Sequence, residues 1–176
     1  MDTKRYARFT RPGHAVTGDR TRSGAQLREQ LGYEYAHAII DVDHTRLAYS
    51  ELHPDERADT VVSFTQRALA WYAQHGIAPK RVMTDNAWNY THSQRLKALL
   101  AAEDVKHLTT TPRRPQTNGK IERFHQTMAR EWGYALSYLS STHRADALPH
   151  WLNHYNEHRP HSPLGNQPPI SRVRNL

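Results

Sequence analysis

The sequence predicts a mixed α/β fold in which helices cover both faces of a mixed β-sheet. Two observations support this class. Short apolar, β-prone segments alternate with longer segments whose apolar residues recur every three or four positions, in the order hairpin, helix, strand, helix, strand, helix. The chain has 176 residues, which is enough for one domain with a buried core.

The first half of the chain predicts a hairpin followed by an amphipathic helix. Residues 33–52 contain two β-prone segments separated by the polar turn Asp43–Arg46. Residues 55–74 carry apolar side chains at helical spacing, and Gly76 is placed to end that helix. Residues 3–31 are basic and polar, so we predict a long loop there.

The second half predicts two short strands, the first of them buried, and three helices. The strands cover residues 81–84 and 105–109, and the helices cover residues 93–103, 117–136 and 144–155. Pro149 predicts a kink or a restart within the last helix. The tail that begins at Pro160 contains four prolines, so we expect irregular structure there.

Composition narrows the class of partner and the compartment. The formal net charge is +7, which favours a polyanionic partner. The absence of cysteine excludes a disulfide framework and the cysteine-bearing zinc modules, and it suits a reducing compartment. No apolar segment is long enough to cross a membrane, and none at the start resembles a secretory signal. We therefore expect a cytoplasmic protein with no membrane partner.

Two acidic residues occupy positions that suit a metal site. Asp85 follows the strand at 81–84, and sites in open sheets of this kind lie at the carboxyl ends of strands. Glu122 lies near the start of a basic helix. Carboxylate oxygens are the ligands that hard divalent cations prefer. Taken alone, Asp85 is equally explained as a turn residue or helix cap, and Glu122 as part of a solvated helix face.

Three motifs make the chain similar to a known family. They are Thr84-Asp85-Asn86, Pro115-Gln116-Thr117-Asn118-Gly119-Lys120-Ile121-Glu122-Arg123, and Tyr155-Asn156-Glu157-His158-Arg159-Pro160-His161-Ser162. Together they resemble the catalytic core of bacterial insertion-sequence transposases of the retroviral-integrase superfamily, and the resemblance covers nearly the whole chain. It implies an RNase H-like mixed five-stranded sheet flanked by helices. Residues 1–165 would form this integrase core, without an N-terminal helix-turn-helix, and residues 166–176 an irregular tail.

The resemblance also implies a catalytic site and its partners. Asp2, Asp85 and Glu122 match the family's Asp, Asp, Glu triad, which binds two Mg²⁺ or Mn²⁺ ions and catalyses DNA strand cleavage and strand transfer. The implied partners are DNA, as element ends and target, and further copies of the chain in a homo-oligomer. The family's first strand is central, and here it would begin at Met1. We therefore expect a truncated first strand, Asp2 on a fraying terminus and an impaired copy.

Residues around the glutamate motif are candidates for contact with DNA phosphates. The set is Arg113, Arg114, Asn118, Gly119, Lys120 and Arg123. A solvated charged face explains Lys120 and Arg123 nearly as well. Gly119 suits a tight entry into the helix, or a close approach of phosphate to the backbone.

Several residues have a second interpretation. Asp41 and Asp43 are alternative first carboxylates, but their place in the hairpin turn favours capping of the local backbone. His150 and His154 have the spacing of a metal-binding pair, but no carboxylate accompanies them, so we interpret them as exposed or packed. Trp88 could stack on an unpaired base, and we interpret it as packing.

Two alternative functions remain open at this point. One is a metal-dependent nuclease on the same fold, which would cut DNA without the joining step. The other is a remnant of a mobile element that binds DNA without catalysis.

Overall fold

The computed structural model of the protein describes residues 1–12, 31–110 and 118–173. The strands are β1 (Asp2–Ala7), β2 (Tyr33–Ile40), β3 (Ala48–His53), β4 (Arg81–Thr84) and β5 (Lys106–Thr109). The α-helices are α1 (Ala58–Gln74), α2 (Trp88–Thr91), α3 (Gln94–Ala102), α4 (Gly119–Met128), α5 (Ser141–Asp146), α6 (Leu148–Glu157) and α7 (Ile170–Val173). The predicted α/β class is confirmed, and from residue 33 onward so is the predicted order of hairpin, helix, strand, helix, strand and helix.

The strands form two hydrogen-bonded sets. β1, β2 and β3 are antiparallel neighbours in that order, with Asp2 opposite Ala38, and β4 pairs with β5 in parallel. The two sets meet where the Met1 ammonium donates a 2.7 Å hydrogen bond to the Met83 carbonyl. Because β4 and β5 are parallel, their carboxyl ends lie at the same edge, and Asp85 follows β4 at that edge.

The prediction of a loop that begins at residue 3 is wrong, because residues 2–7 form β1. The strand pairs with β2 along its whole length, from Asp2 to Ala7. Tyr6 is fully buried, whereas Arg5 is exposed, with its guanidinium 4.7 Å above the Tyr33 ring. Successive side chains of a strand point to opposite faces, so the exposed face tolerates basic residues. Composition alone therefore conceals this strand.

Met1 is packed rather than frayed at the start of β1. Its side chain is 6% exposed and belongs to the core cluster under α1. The Thr65 hydroxyl donates to its sulfur at 3.5 Å. The expected fraying at Asp2 is therefore not what the structure shows.

Helices cover both faces of the sheet. On one face α1 and α3 pack against Ile39 and Val82; on the other, α4 and α6 pack against Ala38 and Ile40. The alternation of Ala38, Ile39 and Ile40 between faces follows from the two-residue period of β2. Each large apolar side chain buried here contributes roughly 1.5–3 kcal/mol. The core is thus two apolar layers with the strands between them.

The predicted helix at 117–136 is shorter and ends differently. α4 stops at Met128 and continues as one π-helical turn, Ala129–Gly133. A Cβ on Gly133 would lie 2.5 Å from the Tyr6 ring, so only glycine fits against β1 at this point. The π-helical turn therefore ends at a residue that lies against the Tyr6 ring.

The C-terminal part contains more regular structure than predicted. The helix expected at 144–155 is divided into α5 and α6, and Pro149 lies in the first turn of α6, which confirms a restart. The tail holds a 3₁₀ turn, Ser162–Leu164, and α7, which packs against the core. In the part of the chain described here, no helix has the length and apolar character needed to span a membrane.

Candidate functional site

Two of the three predicted triad carboxylates line one pocket. Asp2 on β1 and Asp85 after β4 lie on its wall together with Glu56 and Trp88, and its volume is about 360 Å³. The contact between Met1 and β4 brings the two carboxylates to this place. The pocket therefore lies at the strand ends, where the sequence predicted a site. A larger groove of about 550 Å³ between β3, α1 and α6 is lined by none of the predicted site residues.

Local hydrogen bonds fix the turn that carries Asp85. The Ala87 N–H donates to Asp85 Oδ1 at 3.0 Å, and the Thr84 hydroxyl donates to the Asp85 carbonyl at 2.8 Å. The Asn86 amide donates to the Thr110 carbonyl at 2.8 Å, which connects this turn to the end of β5. Asp85 is thus presented from a turn bound to both parallel strands.

Asp2 experiences the negative charge of the other two carboxylates. Its Oδ1 accepts a 2.8 Å hydrogen bond from the Thr3 N–H. Burial raises the pKa of the Asp2 carboxyl above its ordinary value, and the charges of Asp85 and, least, of Glu122 add to that rise. The Thr3 N–H and the Met1 ammonium lower this pKa without cancelling the rise. Carboxylate oxygens are the ligands that hard divalent ions prefer, so the chemistry of Asp2 and Asp85 suits such an ion.

Glu122 stands apart from the pocket wall. It is exposed in the first turn of α4, and its N–H donates to the Asn118 carbonyl at 3.1 Å. Among residues 1–12, 31–110 and 118–173, no three His, Asp or Glu side chains are grouped closely enough to hold a metal ion. The structure therefore brings Asp2 and Asp85 together at the pocket, whereas Glu122 does not line it and acts on Asp2 through its charge.

His125 is a site residue that sequence reasoning missed. It lies one turn after Glu122 on α4, is 4% exposed, and its Nε2 is 3.6 Å from Asp2 Oδ2. Neither ring nitrogen has a hydrogen-bond partner in the described part of the chain. Burial lowers the pKa of His125 to about 3, so the ring is neutral near pH 7. Its i+3 spacing from Glu122 was the available signal, since residues three apart are neighbours on a helix.

The predicted DNA contacts differ in their surroundings. Lys120 Nζ donates to the Val42 carbonyl at 2.6 Å, which connects the first turn of α4 to the hairpin turn. Arg123 is exposed, and Asn118 is half-buried just before α4. Gly119 begins α4 without a positive φ, and a Cβ there would meet open space, so a tight turn is not the reason for glycine. Arg113 and Arg114 lie outside the described residues.

The alternative carboxylates belong to the hairpin turn. Asp41 accepts hydrogen bonds from the N–H groups of Asp43, His44 and Thr45, at 3.0, 3.3 and 2.7 Å, and from the Thr45 hydroxyl at 2.7 Å. Burial raises the pKa of Asp41, but these bonds outweigh it and the pKa falls below its ordinary value. Asp43 accepts from Arg81 at 2.9 Å. The interpretation of Asp41 as a cap of its own turn is confirmed.

Three other candidates are also located. His150 and His154 are exposed on α6, and neither belongs to a metal-binding group within the described ranges. Trp88 is 74% exposed, and its ring stacks on His92 with a centroid separation of 3.5 Å and an interplanar angle of 8°. The interpretation of Trp88 as a packing residue is therefore wrong. It presents an aromatic face to solvent at the rim of the Asp2–Asp85 pocket.

Two family models, both described as integrase core domain, match the chain. One matches residues 10–115 and the other residues 103–169. Together they cover both motif regions that carry Asp85 and Glu122.

Curated relatives come from a virus and from insertion elements. The chain is 29% identical over 154 residues to "Putative integrase ORF3" of Spiroplasma virus SpV1-C74, covering 81% of this chain and 42% of that protein. It is 31% identical over 97 residues to the IS476 uncharacterized 39.2 kDa protein of Xanthomonas euvesicatoria, covering 55% of this chain and 28% of that protein. The chain thus spans less than half the length of either relative.

Solved structures show the same fold at low identity. The catalytic core domain of BIV integrase superposes with a TM-score of 0.61 at 18% identity, covering 82% of this chain and 87% of that one. A chain of the simian T-cell lymphotropic virus intasome, solved with PP2A regulatory subunit B56 gamma, superposes with a TM-score of 0.65 at 15% identity. The match covers 98% of this chain and 52% of that one. These likenesses establish an RNase H-like fold.

Proposed function

We propose that this chain, which belongs to the integrase core domain family, catalyses metal-dependent cleavage of DNA strands and their transfer into target DNA, as the core of an insertion-sequence transposase. The observation that supports this most is the pocket shared by Asp2 and Asp85 at the ends of β1 and β4. The electrostatic influence of Glu122 on Asp2 adds the third carboxylate.

Asp2, Asp85 and Glu122 are the residues that would hold two Mg²⁺ or Mn²⁺ ions. Their carboxylate oxygens are the ligands these ions prefer. The charges of Asp85 and Glu122 raise the pKa of Asp2, and a bound cation would offset their effect. When bound, such ions activate a water or a 3′-hydroxyl and stabilise the leaving oxygen of a phosphodiester. The Ala87 N–H orients Asp85 and the Thr3 N–H orients Asp2 for this task.

The DNA itself would be bound by charge and by one aromatic face. The formal charge of +7 attracts a polyanion. The residues proposed to contact phosphates are Arg113, Arg114, Asn118, Gly119, Lys120 and Arg123. The exposed ring of Trp88 is placed to stack on an unpaired base beside the carboxylates. Joining two element ends to one target requires more than one active site, so we also propose a homo-oligomer in the active complex.

The experiment is a strand-transfer assay with a labelled duplex that carries a 3′-hydroxyl, a supercoiled target plasmid and Mg²⁺. Asp85→Asn and Glu122→Gln should each abolish joined product, because each change removes an anionic ligand with almost no change in shape. The matched controls are Asp104→Asn and Glu103→Gln. Both are exposed, and Asp104 precedes β5, so it lies at the opposite edge of the parallel strands from Asp85.

The outcomes separate the candidate functions. Joining that survives in either site variant contradicts the triad assignment. Mg²⁺-dependent cleavage without joining identifies a nuclease instead. Binding without either reaction, in the unmodified chain, identifies a non-catalytic DNA-binding protein.

A further inference from the structure

His125 is a buried polar ring that its own packing does not explain. It is 4% exposed, and both ring nitrogens lack a hydrogen-bond partner within the described ranges. Leaving a buried donor unpaired is costly, and buried polar atoms are paired in the great majority of cases. An apolar ring would pack beside Phe124, whose centroid is 5.9 Å away, without that cost. Packing alone therefore does not explain why this residue is a histidine rather than an apolar residue.

The ring of His125 lies beside the Asp2 carboxylate of the candidate site. His125 Nε2 lies 3.6 Å from Asp2 Oδ2, and the other oxygen of that carboxylate, Oδ1, already accepts from the Thr3 N–H at 2.8 Å. His125 follows Glu122 by one turn of α4. This contact is thus where the helix that carries Glu122 meets the strand that carries Asp2.

We propose that His125 is a positioning residue for Asp2, in which the ring donates its Nε2–H to Asp2 Oδ2 when the carboxylate binds a cation. The inference rests on the proposed function. A shift of a few tenths of an ångström brings the present 3.6 Å separation into hydrogen-bonding range. Both oxygens of Asp2 would then have one fixed donor each, which leaves their remaining lone pairs for the pocket shared with Asp85. Partners of this kind orient ligand carboxylates in metal sites.

The test measures Mn²⁺ affinity of the full chain by calorimetry, without DNA. His125→Phe keeps a ring of similar size and removes the donor, so affinity should fall by about 10–100-fold. His125→Gln keeps an N–H at a similar reach, so its affinity should stay close to that of the unmodified chain. Melting temperatures without metal are recorded for both variants, because a merely structural role would lower those and leave the affinity of the folded protein unchanged.

The outcomes distinguish this inference from the proposed function. Equal Mn²⁺ affinity in the Phe variant and the unmodified chain overturns the role of His125. Equal losses in the Phe and Gln variants overturn it as well, since the donor would then not matter. Binding that depends on Asp85, tested with Asp85→Asn, but not on His125 leaves the proposed function standing. Binding that is indifferent to Asp85→Asn overturns both.

A second measurement uses the unmodified chain, in case the Phe variant does not fold. The ¹⁵N NMR spectrum of the imidazole, assigned through the backbone of Phe124 and Gln126, reports which ring nitrogen carries the proton. We expect the Nε2–H form, with its resonance shifting as Mg²⁺ is added. An Nδ1–H form would place a lone pair against the Asp2 carboxylate and overturn the inference.

Discussion

Arg144→Met is expected to cost this fold a large share of its stability. Arg144 is 2% exposed in its side chain and donates to Glu34 Oε1 from Nη2 at 2.6 Å and from Nε at 3.2 Å. Its Nη2 also donates to the Ala7 carbonyl at 2.8 Å. The guanidinium therefore connects α5 to β1 and β2 in one place. Methionine fills much of the volume but leaves the buried carboxylate of Glu34 without a partner.

The magnitude follows from burial of both partners. The Glu34 side chain is 10% exposed, so solvent screens the pair very little. Removing one partner of such a pair costs about 3–5 kcal/mol, chiefly through the uncompensated charge. For a chain of this size each kcal/mol shifts the melting temperature by about 2–4 °C. Arg144→Met should therefore melt roughly 6–20 °C below the unmodified chain.

Urea unfolding measures this loss, with two comparison variants. Arg130→Met is the control, because Arg130 is 74% exposed in its side chain and its ion pair with Glu131 spans 4.0 Å, so the change should stay within about 0.5 kcal/mol. Arg144→Met combined with Glu34→Met removes both charges and should recover most of the stability. A loss below about 1 kcal/mol in the single variant, or a larger loss in the double variant, would refute the reasoning.

Three further predictions concern acid, packing and salt. Because burial lowers the pKa of His125 from 6.5 to about 3, the unfolded chain binds a proton that the folded chain does not across that range. The free energy of unfolding should therefore fall by about 2 kcal/mol between pH 7 and pH 5 because of this group. Thermal unfolding of His125→Gln should show a smaller fall over the same range, and an equal fall in both proteins contradicts the prediction. Gly133→Ala forces a Cβ to 2.5 Å from the Tyr6 ring and should cost about 1–3 kcal/mol in urea unfolding, whereas Gly119→Ala, which faces open space, should cost nothing. Affinity for duplex DNA, measured by fluorescence anisotropy, should fall steeply between low and high salt because of the +7 charge, and a flat response contradicts a phosphate-based interface.

Sequence reasoning succeeded where the signal was local. The apolar run at 81–84 predicted β4, and the position of Asp85 after it predicted a site at the strand end, where the pocket is found. The restart at Pro149 is also local, because proline lacks the N–H needed inside a helix but fits its first turn. The link between Asp2, Asp85 and Glu122 came from the resemblance, since no local pattern relates them.

Prediction from sequence failed where contacts between distant parts of the chain determine the local structure. β1 was hidden by its basic residues and forms because β2 pairs with it. The helix expected at 117–136 ends at Gly133, and the packing of Gly133 against Tyr6 cannot be predicted from helical periodicity. The exposure of Trp88 and the burial of His125 depend on which surfaces pack together. Such features follow from tertiary contacts rather than from spacing.

The central claim is that Asp2, Asp85 and Glu122 hold the catalytic cations. The most direct measurement is anomalous diffraction from crystals of the protein bound to DNA and soaked in Mn²⁺. We expect anomalous peaks between these three carboxylates, in direct contact with their oxygens, and the loss of these peaks in Asp85→Asn crystals. Peaks only at other residues, or peaks that persist in Asp85→Asn crystals, would contradict it.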